Sequence, residues 1–147
     1  MSNGEIYCYI DLAETNYTID LDYQILQDPD TDLLLDIYRQ YAIYKKLNSV
    51  WPMFAEQFTN PYNDTIGYFD QGNLVAWSLI SKSLGPTAIE AVQFAWDYKN
   101  PKLKLGYKTM RNECAMYKAQ GYEILILGDA HEYKKQIQGF KLFGPAI

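Results

Sequence analysis

The stretch FAWDYKNPKLKLGYKTMRNECAMYKAQGYEILILG, residues 94–128, decides the fold. It begins inside an aromatic and apolar run, TAIEAVQFAWDY (87–98), which has the composition of a strand. Lys102, Lys104 and Lys108 then crowd a single glycine, Gly106. From Leu105 to Gln120 the apolar period is helical, and Gly121 stands where helices end in a left-handed residue. YEILILG (122–128) is a nearly continuous apolar run, as in a strand buried on both faces. The order predicted is strand, loop, helix, central strand. At the helix start the first N–H groups lack intrahelical partners and carry the positive end of the dipole, so they attract anions. A glycine there admits a ligand to the backbone, and the three lysines add local charge suited to a pyrophosphate.

Upstream, TIGYFD (65–70) and LVAWSLISKS (74–83) read as a hairpin closed by QGN, and LGP leads to the strand at 87–98. An antiparallel meander therefore precedes the glycine loop. EIYCYIDL (5–12) alternates as a first strand, and residues 13–30 read as irregular. A helix follows, capped by Thr31 or Asp32, with an apolar face including Leu34, Ile37, Tyr38, Tyr41 and Tyr44 or Ala42. Lys45 and Lys46 suit its C-terminal end. Residues 51–64 form an aromatic connection with a short helical turn. Downstream, DAHEYKKQIQ (129–138) reads as a helix capped by Asp129, and GFKLFGP as a last short strand. The whole order is β-α-β-β-β-α-β-α-β, in one domain over residues 1–147, an α/β (α+β) fold.

Composition narrows the function. With 48% hydrophobic and 16% aromatic residues the chain is too apolar to be disordered. A net charge of −5 repels phosphate backbones at long range, so generic nucleic-acid binding is not expected. Cys8 and Cys114 lie in different elements and read as reduced core thiols. The opening MSNGEIYCYID has neither a basic start nor an apolar run, and nothing approaches the roughly 18 apolar residues of a membrane span. A cytoplasmic protein without a membrane segment is expected. His131 is the only histidine and reads as exposed or capping, so no zinc site and no metal is expected. DPDTD (28–32) starts like a calcium loop but fails, with Leu33 in place of the needed glycine and Arg39 in place of the bidentate glutamate. Of the aromatics Trp51, Phe54, Phe58, Tyr62 and Tyr68, most read as core.

The segment from about Gly67 to Gly144, with its hairpin, the AIEAVQFAWDY strand, the KLKLGYKTMRNECAMYKAQG loop and helix, and YEILILG, resembles the GCN5-related N-acetyltransferase (GNAT) fold. That fold is a mixed, mostly antiparallel sheet flanked by helices. Its phosphate loop is Arg or Gln, two residues, Gly, one residue, then Gly or Ala; over Lys102–Lys108 only the central glycine is kept. A finer likeness is to the C-terminal catalytic domain of arginyl- and leucyl-tRNA–protein transferases. It rests on Trp96–Asp97, Leu103–Gly106, Arg111 with Glu113, Gly121–Tyr122, Leu127–Gly128 and Tyr133–Lys134. It covers roughly half the chain, and the cysteine-rich N-terminal part of those transferases has no counterpart here.

The resemblance implies a binding strip for acetyl-CoA or another acyl-CoA, as co-substrate. Its strand part is Phe94, Ala95 and Trp96. Its loop part is Leu103, Lys104, Leu105, Gly106, Tyr107 and Lys108. Acyl transfer to an amine needs an oxyanion donor, a base and an acid for the leaving thiolate. The resemblance gives the first to the backbone near Phe94–Trp96 and the last to Tyr133, while Glu90 or Asp97 on the same strand serves as base through water. The first reading is thus N-acyltransfer to a small-molecule or peptide amine. The second is an aminoacyl transferase drawing on charged tRNA. The third is a non-catalytic GNAT-like module that binds a partner or assembles, a homodimer included.

Overall fold

In a computed structural model the described residues are 7–46, 52–97, 105–129 and 132–142. They form one seven-stranded sheet in the order β2-β3-β4-β5-β6-β1-β7, with helices on both faces. The strands are β1 (Tyr7–Asp11), β2 (Tyr23–Ile25), β3 (Asn63–Asp70), β4 (Asn73–Ser81), β5 (Ala88–Trp96), β6 (Ile124–Asp129) and β7 (Phe140–Leu142). The helices are α1 (Thr31–Tyr44), α2 (Ala55–Thr59) and α3 (Leu105–Ala119). All strand pairs are antiparallel except β5 with β6. This is the mixed, mostly antiparallel sheet flanked by helices that the sequence predicted.

The elements have local causes. The β3–β4 turn pairs Asp70 with Asn73 and puts Gln71 at φ 51° and Gly72 at φ 82°, a two-residue turn whose twist matches the strands. Gly121 ends α3 at φ 95°, and the Tyr122 N–H returns to the Tyr117 carbonyl at 3.0 Å. α3 buries Leu105, Thr109, Cys114, Met116 and Tyr117 against the core containing Ile66, Ala76, Ile80 and Ile89. On the opposite face α1 and α2 bury Leu34, Ile37, Tyr38 and Phe58 against Trp77, Leu79 and Ala95. The Trp77 indole N–H donates to the Leu34 carbonyl at 2.9 Å, so α1 is hydrogen-bonded to the sheet it covers. Cys8 and Cys114 are both buried; burial pushes the Cys114 thiol up to about 12, so it stays protonated and inert.

Several expectations are corrected. The segment predicted as irregular over 13–30 contains a 3₁₀ turn, Leu12–Glu14, and the edge strand β2. β2 pairs with Tyr68, Gly67 and Ile66 of β3, a length of three residues at which alternation carries no signal. The cap of α1 is Asp30, not Thr31 or Asp32: its carboxylate accepts the Leu33 N–H at 3.2 Å. The helix predicted at 129–138 is only a 3₁₀ turn, Glu132–Gln136, because β6 runs on through Asp129 after Gly128 at φ 77°. Phe58 and Tyr68 are core, but Phe54 and Tyr62 are exposed; Trp51 lies outside the described residues. Asp30→Ala is expected to cost about 1 kcal/mol in urea unfolding, with the slope unchanged, whereas Thr31→Ala leaves that cap bond in place.

Candidate active site

β5 and β6 are neighbours that part company. Their parallel pairing covers only Ala88↔Ile124, Ile89↔Leu125 and Glu90↔Ile126. Immediately beyond, Leu79 of β4 pairs with Gln93 while Ile80 pairs with Ala91, so Val92 is an extra residue, a β-bulge on β5. A bulge bends its strand and breaks the ladder on the other side. From Ala91 onward β5 follows β4 and leaves β6 behind. The cleft so opened has a volume of about 650 Å³.

The direction of the β5 backbone in the cleft follows from its pairing with β4. Asp97 N–H donates to the Val75 carbonyl at 2.7 Å, which makes Trp96↔Ala76 a non-hydrogen-bonded pair. By alternation Ala95 faces Trp77 in a hydrogen-bonded pair, and Phe94 and Trp96 point their N–H and C=O groups away from β4, into the cleft. The Phe94 N–H confirms this: it is met by the side-chain oxygen of its neighbour Gln93 at 3.0 Å. A flexible side chain thus satisfies a donor that a sheet partner would otherwise have taken.

The cleft has an aromatic and basic rim. Phe94 and Trp96 line it, with Tyr41 edge-on to Phe94 at 6.1 Å and Tyr44 edge-on to Trp96 at 6.2 Å. Lys45, just past α1, also lines it. On the β6 side the buried Lys134 ammonium donates to the Leu127 carbonyl at 2.9 Å. The start of α3 closes the remaining side with Leu105, Gly106 and Tyr107. Gly106 has ordinary helical φ, and a Cβ built on it would meet nothing within 4 Å. Neither backbone strain nor protein packing calls for glycine there; its missing side chain leaves open cleft. The Tyr107 hydroxyl donates to the Gln136 carbonyl at 3.0 Å, and its ring lies under the Arg111 guanidinium at 4.2 Å.

One lining residue escaped the sequence reading as a site candidate. Glu113, on α3, is 5% exposed and is the only acidic side chain among the described residues that line the cleft. Its Oε2 accepts from the Tyr68 hydroxyl at 2.5 Å and from the Ser78 hydroxyl at 2.7 Å. Burial pushes its carboxyl up to about 7, against the opposing pull of those two hydrogen bonds. Tyr68 is itself raised by burial and by the Glu113 charge beside it, so it stays a donor. The signal was present: Glu113 stands four residues from Thr109 and from Tyr117, both buried, so the helical period puts a carboxylate on the core stripe of α3.

The remaining site candidates divide. Phe94, Trp96, Leu105, Gly106 and Tyr107 come together in the cleft; Ala95 is turned to the α1 face and contributes no side chain. Lys108 lines a different, smaller hollow with Tyr17 and Arg111, on another side of α3. Glu90 sits in the fully paired part of the sheet, between Ser81 and Ile126, and does not line the cleft. Asp97 does not line it either. Leu103, Lys104, Lys102 and His131 lie outside the described residues, as does the side chain of Tyr133, whose backbone belongs to the 3₁₀ turn. Among the described residues no cluster of His, Cys, Asp or Glu has the makings of a metal site, and no helix is long and apolar enough to cross a membrane.

No family model and no curated protein matches the sequence. Solved structures do match in shape. A protein of Novosphingobium aromaticivorans assigned to the GNAT family superposes with TM-score 0.65 at 17% identity, over 95% of this chain and 60% of that one. N-myristoyltransferase of Saccharomyces cerevisiae with bound myristoyl-CoA gives 0.63 at 11%, over 95% and 47%. The aminoglycoside acetyltransferase meta-AAC0020, from a soil metagenomic sample and in complex with sisomicin, gives 0.56 at 11%, over 78% and 80%. The chain thus spans less than two thirds of the first two proteins. The finer likeness to the tRNA–protein transferases rests on the sequence motifs alone. The mixed, mostly antiparallel seven-stranded sheet flanked by helices thus matches the fold of these GNAT-like structures.

Proposed function

We propose that the chain is an N-acyltransferase that moves an acyl group from a CoA thioester to an amine. The observation carrying this reading is the cleft itself, with two backbone N–H groups of β5 turned into it beside the open start of α3. An extended pantetheine arm is a chain of amides, and it can replace the missing strand by bonding the Phe94 and Trp96 backbone. The helix start with Gly106 offers N–H groups and room to the phosphates. Lys45 and Lys134 make the walls cationic, which suits an anionic donor. Acetyltransferase and myristoyl-CoA-binding structures with this fold support the same donor class.

When bound, the thioester supplies the activated acyl group. The protein's contribution is to orient it and to hold donors toward the carbonyl oxygen, where negative charge develops. Gln93 vacates the Phe94 N–H as the ligand takes its place. The amine enters from the side of Tyr41 and Tyr44. Amide nitrogen–proton spectra recorded with acetyl-CoA test this directly. The Phe94 and Trp96 signals are expected to shift most, and Ala95, bonded to β4, least. Shifts confined to the hollow lined by Tyr17, Lys108 and Arg111 would defeat the reading.

A further inference from the structure

Glu113 faces the cleft with one oxygen occupied and one free. Oε2 accepts from the Tyr68 and Ser78 hydroxyls. Oε1 accepts none from the described residues, yet no sealed polar side-chain atom among them lacks a partner. Oε1 is therefore open to the cleft, at the end of a side chain otherwise buried. Tyr68 and Ser78 come from β3 and β4, so the carboxylate is fixed from two neighbouring strands and aimed at the space left to ligands.

We propose that Glu113 is the catalytic proton acceptor of this site, its free Oε1 taking the proton that an amine nitrogen sheds during acyl transfer. The proposal rests on the acyltransferase reading and gives its base an identity that neither Glu90 nor Asp97 can claim from the lining of the cleft. The balance is simple. As the nitrogen lone pair forms the C–N bond, Glu113 gains one proton. The pair of the broken C–S bond goes to sulfur, which is protonated from water, and Glu113 returns its proton to water.

The charged and titratable groups around Glu113 are consistent with that task. Tyr68 on β3, and Cys114 and Tyr117 on α3, are all pushed up by burial and stay neutral through neutral pH. Among the described residues, the cationic groups lining the cleft are Lys45 and Lys134. A carboxyl near neutrality is suited to alternate between its two states at cellular pH.

The test compares the wild type with Glu113→Gln, which keeps an oxygen for Tyr68 and Ser78. Three measurements are made on each: acetyl-CoA binding, thiol release from acetyl-CoA with hydroxylamine as the probe amine, and an infrared pH titration of carboxyl stretches. Expected are equal binding, thiol release lowered by roughly 10²-fold or more with loss of its rise toward neutral pH, and disappearance of one carboxyl band titrating near neutrality. Unchanged thiol release with the same pH profile overturns the assignment, as does the lack of a near-neutral carboxyl in the wild type. A wild type that neither binds acetyl-CoA nor releases thiol overturns the acyltransferase reading itself. That outcome is told apart from the others because the infrared band and the fold do not depend on the donor.

Discussion

Gly139→Ala is expected to lower stability by about 3 kcal/mol, and the melting temperature by on the order of 10 °C. Gly139 connects the 3₁₀ turn to β7 at φ 77°, a conformation that costs any other residue. Its added Cβ would lie well inside 3.0 Å of the Asp11 carbonyl oxygen, with the Asp11 carbonyl carbon and nitrogen close behind. Those atoms are backbone and cannot turn aside. Asp11 is also bonded at this point: its N–H donates to the Gly139 carbonyl at 2.8 Å, and it pairs with Ile124 of β6. The methyl group therefore pushes β7 off β1 at the strand that backs the cleft wall. Gly72→Ala is the control, because Gly72 also has positive φ but nothing within 4 Å of its Cβ. It is expected to cost only about 1–2 kcal/mol. Equal losses from the two substitutions would show that the Asp11 contact does not constrain position 139.

Glu113→Gln is expected to stabilise the folded chain at alkaline pH and to leave it nearly unchanged in acid. The folded carboxyl titrates at about 7, against 4.5 for the ordinary group. Between those values the folded state holds a proton that the unfolded state has released, so the free energy of unfolding falls as pH rises. The favourable contribution is complete below the lower value and is lost once pH passes the higher one. The total is about 3 kcal/mol. Glutamine is neutral throughout and has no such slope. Taking the difference between wild type and variant removes the titration of every other group, and denaturant unfolding at several pH values measures it. A gap that does not widen between acid and alkali would mean that Glu113 titrates like an exposed carboxylate. A widening gap would show a site held at a cost to stability, as is common where a buried charge serves chemistry.

The difference between what sequence revealed and what it hid is a matter of how many residues carry each signal. α3 was legible from Leu105 to Gly121 because about four turns share one period and a glycine ends them. The Gln71–Gly72 hairpin was legible because its turn chemistry is local. β2 was hidden because an edge strand of three residues is held by its partner β3, not by its own pattern. The 129–138 segment looked helical in composition, but Gly128 and the continuation of β6 leave only a 3₁₀ turn. Of the residues assigned to a donor strip, five line one cleft. Phe94, Trp96 and the Leu105–Tyr107 turn lie next to one another along the fold, whereas Lys108 turns aside with the helix rotation. Glu113 needed the tertiary structure, since its meaning depends on Tyr68 and Ser78, which are 45 and 35 residues away.

That the cleft between β5 and β6 holds an acyl-CoA is tested most directly by calorimetric titration of acetyl-CoA into the wild type and into Gly106→Trp. The Cβ of residue 106 points into open cleft, so the indole fills ligand space without disturbing the packing. Binding in the micromolar range by the wild type, abolished in a folded Gly106→Trp, is the expected result. A folded wild type that binds no acetyl-CoA, or a Gly106→Trp variant that binds it equally well, would contradict it.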